Sequence, residues 1–194
     1  EVRDIDHARA RLAEEIAEAI KLATQIPTAR GVHISEVRVI IRAPWAQSRI
    51  LVAKASSEKD MLIKTTHVTK LLDTALLSAA VDRSQLFEAV PLAVFLNGYP
   101  TIHPEGKRAH TVDLYAIASA VDGAAGTVIQ EAVHRGFPAA RATFVSAARV
   151  HAQILPKLDV PGDCVIVDFG VQATQLSVLR AGILEGERIA PDGL

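Results

Sequence analysis

At 194 residues the chain is long enough for one large domain or two small ones, and a chain of this size can bury roughly 70% of its unfolded surface. Its 21 Lys and Arg residues against 22 Asp and Glu leave a formal net charge of −1, which argues against a nucleic-acid-binding chain. No apolar run approaches the roughly 20 residues needed to cross a bilayer, and no signal peptide is visible.

The composition is 49% hydrophobic but only 4% aromatic, so the expected core is built of Ala, Val, Leu and Ile. Residues about 4–24 read as an amphipathic helix, with Ile5, Ala8, Leu12, Ile16, Ile20 and Ala23 at spacings of three and four. Asp4 or Asp6 is its expected N-cap and Pro27 its stop. Glu36 to Ala43 alternates as a strand, with Val37, Val39 and Ile41 on one face and Arg38 and Arg42 on the other. Ser48 to Ala55 is a second strand, and the polar run Ser56 to Asp60 reads as a loop. Thr65 or Thr66 is expected to cap a helix striped by Val68, Leu71, Leu72, Ala75 and Ala79.

Leu86 to Leu96 is extended, with Pro91 marking a bulge or an edge. Asn97-Gly98 reverses the chain. His110 to Ser119 alternates, placing Val112, Leu114, Ala116 and Ala118 on one face. The order over about 36–120 is therefore strand, helix, strand, strand. A helix over about 124–135 closes at Gly136 as a C-terminal cap, with Phe137 beyond it. A short strand near Ala142–Val145, a helix to Leu155 and a terminal hairpin complete the chain. The fold class is α+β to α/β. Cys164, in a strand-like run, reads as a buried free thiol.

The most informative segment is the hairpin. An apolar strand, Val165 to Val167, runs into Asp168-Phe169-Gly170, and a tight turn leads through Thr174 to a strand ending Ala181-Gly182. Such a hairpin can turn backbone N–H groups toward a phosphate. Asp168-Phe169-Gly170 also spells a protein-kinase metal motif, but the glycine-rich loop and the His-Arg-Asp that reading needs are missing. His103 and His110 lack metal-ligand partners, and Ser146 lies in no Gly-x-Ser-x-Gly context. Arg38, Arg42 and Arg49 cluster near Trp45, a solvated face by default and a partner-docking surface in the sharper reading.

Taken together, the opening segment with its long helix, the strand-helix-strand-strand middle, Asn97-Gly98-Tyr99-Pro100-Thr101 with Pro104-Glu105-Gly106, His134-Arg135-Gly136-Phe137, Ser146-Ala147-Ala148, and Asp168-x-Gly170 through Thr174 to Gly182 and Pro191-Asp192-Gly193 resemble, in order, the actin-like ATPases of the FtsA type and the pilus-assembly relative PilM. The resemblance implies a fragment of an actin-like (ribonuclease H-like) lobe. Residues 1–34 would be a helix of the first lobe, 35–121 an SHS2-type inserted subdomain, 122–160 the remaining first-lobe helices, and 161–194 the start of the second lobe with its phosphate hairpin.

The resemblance further implies that Asp168 orders a metal-bound water, that Gly170 N–H meets a phosphate, and that Thr174 hydrogen-bonds it. Where the family continues with glycines, threonines and an acidic residue, this chain has Val171, Gln172, Ala173, Thr174 and Gln175. Branched Val171 resists close approach to a phosphate, and Gln175 removes a carboxylate that could order Mg²⁺. Weak or lost ATP hydrolysis follows. Mg-ATP is then a cofactor of a complete parent, and none is expected for this chain alone. The leading reading is an interaction module that self-associates or joins bacterial cytoskeletal or pilus assembly proteins, cytoplasmic or peripheral to the inner face of the membrane. The competing reading is an ATPase of the actin and sugar-kinase superfamily.

Overall fold

The computed structural model of the chain describes residues 5–25, 31–154 and 161–190, with the side chains of residues 5–10 and 24 not described. The expected cap at Asp4, the stop at Pro27, the helix end at Leu155 and the segment Pro191-Asp192-Gly193 lie outside the described residues, while Asp6 falls inside the first helix, which already runs from Ile5, rather than before it as a cap.

Helix α1 (Ile5–Gln25) turns Leu12, Ile16 and Ile20 toward helix α3 (Gly123–Gly136) and the strand pair β1 (Glu36–Ile41) and β6 (Arg141–Ser146). Those two strands run parallel, with Glu36 opposite Arg141 and Ile41 opposite Ser146. Ile41, Ala46, Ile129 and Val133 form the buried centre of this layer. Asp122 caps α3, accepting from Ala125 N–H at 3.0 Å.

Gly136 does not serve as the left-handed cap expected of it. It is the last helical residue, and Phe137 follows as the cap. A Cβ there would lie 2.1 Å from Ile20 Cγ2, so the glycine lets α1 approach α3.

The second layer is a four-stranded antiparallel sheet in the order β2-β5-β3-β4, from β2 (Ala46–Leu62), β3 (Leu86–Leu96), β4 (Tyr99–Pro100) and β5 (Arg108–Val121). Helix α2 (Thr65–Ser78) covers one face, burying Val68, Leu71, Ala75 and Leu76 against Leu51, Val94, Val112 and Leu114. A fully buried Leu or Ile contributes about 1.5–3 kcal/mol through the water it sheds, so Leu114 and its neighbours anchor this layer.

Three expectations change here. The strand-helix-strand-strand run starts at Ala46 rather than Glu36, because β1 pairs with β6 outside this sheet. Ser56 to Asp60 is not a free loop: β2 runs through it, and the register with β5 jumps from Ser56 to Met61 as a bulge. The N-cap of α2 is Lys64 rather than a threonine, with Lys64 N–H donating to His67 Nδ1 at 3.2 Å.

Pro91 does sit at a bulge, where β3 shifts register against β5. Asn97 and Gly98 have φ of +52° and +81°, the left-handed pair that a tight hairpin demands. The sheet begins and ends at one place: Ala46 pairs with Val121, and Asp122 N–H donates to Trp45 O at 3.0 Å.

The third layer is an antiparallel meander of β7 (Cys164–Phe169), β8 (Thr174–Arg180) and β9 (Ile183–Ala190). Its inner face joins α4 (Ala147–Ile154) and the open face of the four-stranded sheet in a core of Ile117, Ala148, Leu179 and Leu184, with Ile50 and Val90 against it. Cys164 is half-buried at its margin and free. The outer face of β7 shows Val165, Val167 and Phe169 to solvent, with Val171 beyond. Among the described residues no helix is long and apolar enough to cross a membrane.

Candidate functional site

The hairpin residues singled out in the sequence meet the start of the connector between β1 and β2. Asp168, at the end of β7, accepts from Arg42 Nη2 at 2.5 Å, with the carboxylate side chain 25% and the guanidinium side chain 42% exposed. Gly170 N–H donates to Ala173 O at 3.0 Å, so the donor expected to face a phosphate closes the turn instead. A Cβ on Gly170 would stand 2.7 Å from Ala173 O and 3.0 Å from Arg42 Nη2. This close approach is the local reason for a glycine. Thr174 pairs with Phe169 across the hairpin and with Ala190 on β9.

Gln175, which stands where the resemblance leads one to expect an acidic residue, is 4% exposed. Its Oε1 accepts from Ala43 N–H at 3.4 Å, and its amide donates to Glu187 on β9. Asp168 and Gln175 are also cross-strand partners. Two adjacent connector residues, Arg42 and Ala43, are thus fastened to two adjacent positions of the hairpin.

His151 on α4 borders the same cluster. Its Nδ1 is buried without a hydrogen-bond partner. Burial holds the imidazole below its ordinary pKa of 6.5, with Asp168 pulling upward and Arg42 downward. No cluster of three His, Cys, Asp or Glu suited to a metal occurs among the described residues.

The basic surface drawn from Arg38, Arg42 and Trp45 does not form. Arg38 is exposed and pairs with Glu36 on its own strand at 3.1 Å. Arg42 turns to Asp168, and Trp45 packs against the Ile41–Ile129 core. Arg38 lies within β1, whereas Arg42 and Trp45 lie beyond its end at Ile41, in the connector. Arg49 lies further along β2, lining a cleft of about 540 Å³ between β2, β5 and β9.

Sequence reasoning missed Glu88, the centre of a buried polar junction. This carboxylate is 7% exposed. It accepts from Ser119 Oγ at 2.9 Å, Ser146 N–H at 3.0 Å, the Ser146 hydroxyl and Arg149 Nη1 at 3.2 Å. A carboxylate inside the apolar run of β3 was the available signal. Glu187 and His151 were missed too, and their neighbours in sequence give no comparable cue.

No protein-family model and no curated protein matches the chain. Among solved structures, a chain of a "PilM-PilN type IV pilus biogenesis complex" matches at a TM-score of 0.55 and 17% identity, covering 94% of this chain and 48% of that one. A Bacteroides thetaiotaomicron protein described as having an actin-like ATPase fold and unknown function matches at 0.41 and 10% identity, over 92% and 56%. The second likeness is too weak to carry an assignment. The first shows a shared fold, and the chain's own helices and strands bear out the mixed α and β architecture expected from the sequence. The chain spans about half the length of the pilus-complex chain it matches.

Proposed function

We propose that the chain is a structural and interaction module of an actin-like bacterial assembly protein, in which the four-stranded unit acts as an SHS2-type insertion contacting neighbouring subunits or partners. The observation that carries this reading is the closed state of the hairpin. Asp168 is held by Arg42, Gly170 N–H by Ala173 O, and Gln175 by Ala43 N–H and Glu187, so the groups that would meet Mg²⁺ or phosphate serve as a joint between modules. The fold shared with a chain of a pilus biogenesis complex makes a PilM-like pilus adapter at least as good a description as an FtsA-like division protein. Its partners would be assembly proteins or further copies of itself, in the cytoplasm or at the inner face of the membrane through the parent protein.

The competing reading is an ATPase that uses the same hairpin. A fluorescent-ATP titration with Mg²⁺, run beside Asp168→Ala, separates the two. No saturable binding at millimolar nucleotide is expected. Saturable binding abolished by Asp168→Ala would replace the adapter reading with the ATPase one.

A further inference from the structure

Among the described residues, an apolar knob and an apolar socket stand at two separate ends of the chain. The knob follows β3. Tyr99 on β4 is 75% exposed, and Ile102 just beyond it is 89% exposed. Ile102 does not hang from a loose loop. Thr101 N–H donates to Val94 O at 2.8 Å, Gly106 N–H to Ile63 O at 2.9 Å and Lys107 N–H to Pro104 O at 3.2 Å, with Pro104 itself buried. The segment is pinned to the sheet at both ends, so docking it elsewhere costs little further ordering of its backbone.

The socket lies where α3 ends and where β1 and β6 begin. It measures about 250 Å³, and Val32, Ile34, Phe137 and Pro138 are among the apolar residues that line it. Val32 is 59% exposed, so the hollow opens to solvent. Sites for drug-sized ligands run to about 300–1,000 Å³. This one suits a side chain or two.

Charge is matched as well. Glu105 stands three residues after Ile102, and Arg141 directly follows Ala140, which lines the socket. Both are exposed, and neither side chain has an ion-pair partner among the described residues. Other charges near the socket are already spent, Arg38 on Glu36 and Arg135 on Glu131. Lys107 and Arg108 follow Glu105 as the chain turns back into the sheet, with Lys107 O accepting from Ile63 N–H at 2.8 Å and Arg108 opposite Leu62.

We propose that the knob of one copy seats in the socket of the next, with Ile102 entering between Val32 and Phe137 and Glu105 facing Arg141. The inference rests on the interaction-module reading and names the partner as a second copy of this chain. Ile102 stands in water in its own chain, so the contact joins two molecules. Knob and socket are different surfaces, which makes the contact head to tail. Unless its rotation closes a ring, such a contact extends as an open row. Two exposed apolar side chains against one small hollow fall far short of the about 20–30 residues a side of a stable interface. Association is therefore weak and grows with concentration.

The test is sedimentation equilibrium of the whole chain at rising concentration, up to about 1 mM. The average mass should climb past that of a dimer. Ile102→Asp should lower the association constant about tenfold or more. Glu105→Arg and Arg141→Glu should each lower it about fivefold, by setting like charges face to face. When these two variants are mixed in equal amounts and alternate, every knob again meets a socket of opposite charge, so the mixture should recover the association of the unmodified chain. General stickiness of Ile102 would not respond to mixing. All three positions are exposed, and far-UV circular dichroism checks that each variant is folded. A chain that stays monomeric throughout gives the socket to a different protein and overturns the proposal. Association untouched by Ile102→Asp, or a mixture no stronger than its components, overturns it too. The interaction-module reading is decided separately by the fluorescent-ATP titration at Asp168, so the two failures are distinguishable.

Discussion

Removing the Glu88 carboxylate should be among the most damaging single changes this chain can suffer. The Glu88 side chain is 3% exposed and faces Arg149, whose side chain is 26% exposed, at 3.2 Å. Glu88→Ala leaves that guanidinium without its anion and strands the Ser146 N–H and the Ser119 hydroxyl, while the Arg149 Nε is already buried without a partner. Breaking a buried pair by deleting one member costs about 3–5 kcal/mol. A domain of this kind has about 5–15 kcal/mol in all. The expected loss is therefore a large fraction of total stability. Arg149→Met deletes the other member, and in the double variant Glu88→Ala/Arg149→Met the orphaned charge disappears, so the double should cost about 2 kcal/mol less than the sum of the singles. Urea unfolding at pH 7, read through the fluorescence of the single Trp45 and through far-UV circular dichroism, measures all three. A loss below about 1 kcal/mol for Glu88→Ala, or strict additivity in the cycle, would refute the view that this pair is a satisfied buried junction.

Gly170→Ala should destabilise by about 1–3 kcal/mol, because its Cβ would press on a backbone carbonyl that cannot swing aside; thermal unfolding reports it, and an unchanged melting temperature would mean that the turn has room. His151 is held below its ordinary pKa of 6.5, so the folded state takes up its proton less readily than the unfolded chain does. Stability from this group is complete well above pH 6.5 and is lost as the pH falls below it. His151→Gln should flatten that acid limb in urea melts at pH 7 and pH 5, and an identical limb in both proteins would show that other groups set it.

Much of the fold is legible because its signals are local. The three- and four-residue spacing of Leu12, Ile16 and Ile20 reports the face that α1 buries, and the alternation of Val112, Leu114, Ala116 and Ala118 reports the covered side of β5. Pro91 and Asn97-Gly98 punctuate the chain where it bulges and turns. The partner of β1 is another matter. Glu36 pairs with Arg141, about 100 positions away, and no local pattern encodes a pairing of such long range. The polar run Ser56 to Asp60 misleads for a related reason: a bulged, half-exposed strand makes no demand for alternating apolar residues.

At the candidate site, Asp168, Gly170 and Gln175 stand out from the sequence, but their partners do not. Arg42 and Ala43 reach them from more than a hundred residues upstream. The glycine that suggested a phosphate is required instead by a carbonyl of its own turn. Charge counting suggested that Arg38 and Arg42 act together, yet each is drawn to a different carboxylate, Arg38 to Glu36 and Arg42 to Asp168.

Trp45 and Asp122 are hydrogen-bonded neighbours, and Ala46 faces Val121, so the chain enters and leaves the four-stranded unit at one narrow doorway. Away from the face packed on α4 and the three-stranded sheet, the segments between those residues could lengthen, shrink or change their surface while β1 and β6 kept their register, since the two ends to be rejoined already touch. Selection can therefore redraw the outward faces of this unit, and with them, on the proposed reading, its choice of neighbours, without disturbing the joint at Asp168. Chains of this architecture are free to diverge fastest in the very part that would decide what they assemble with.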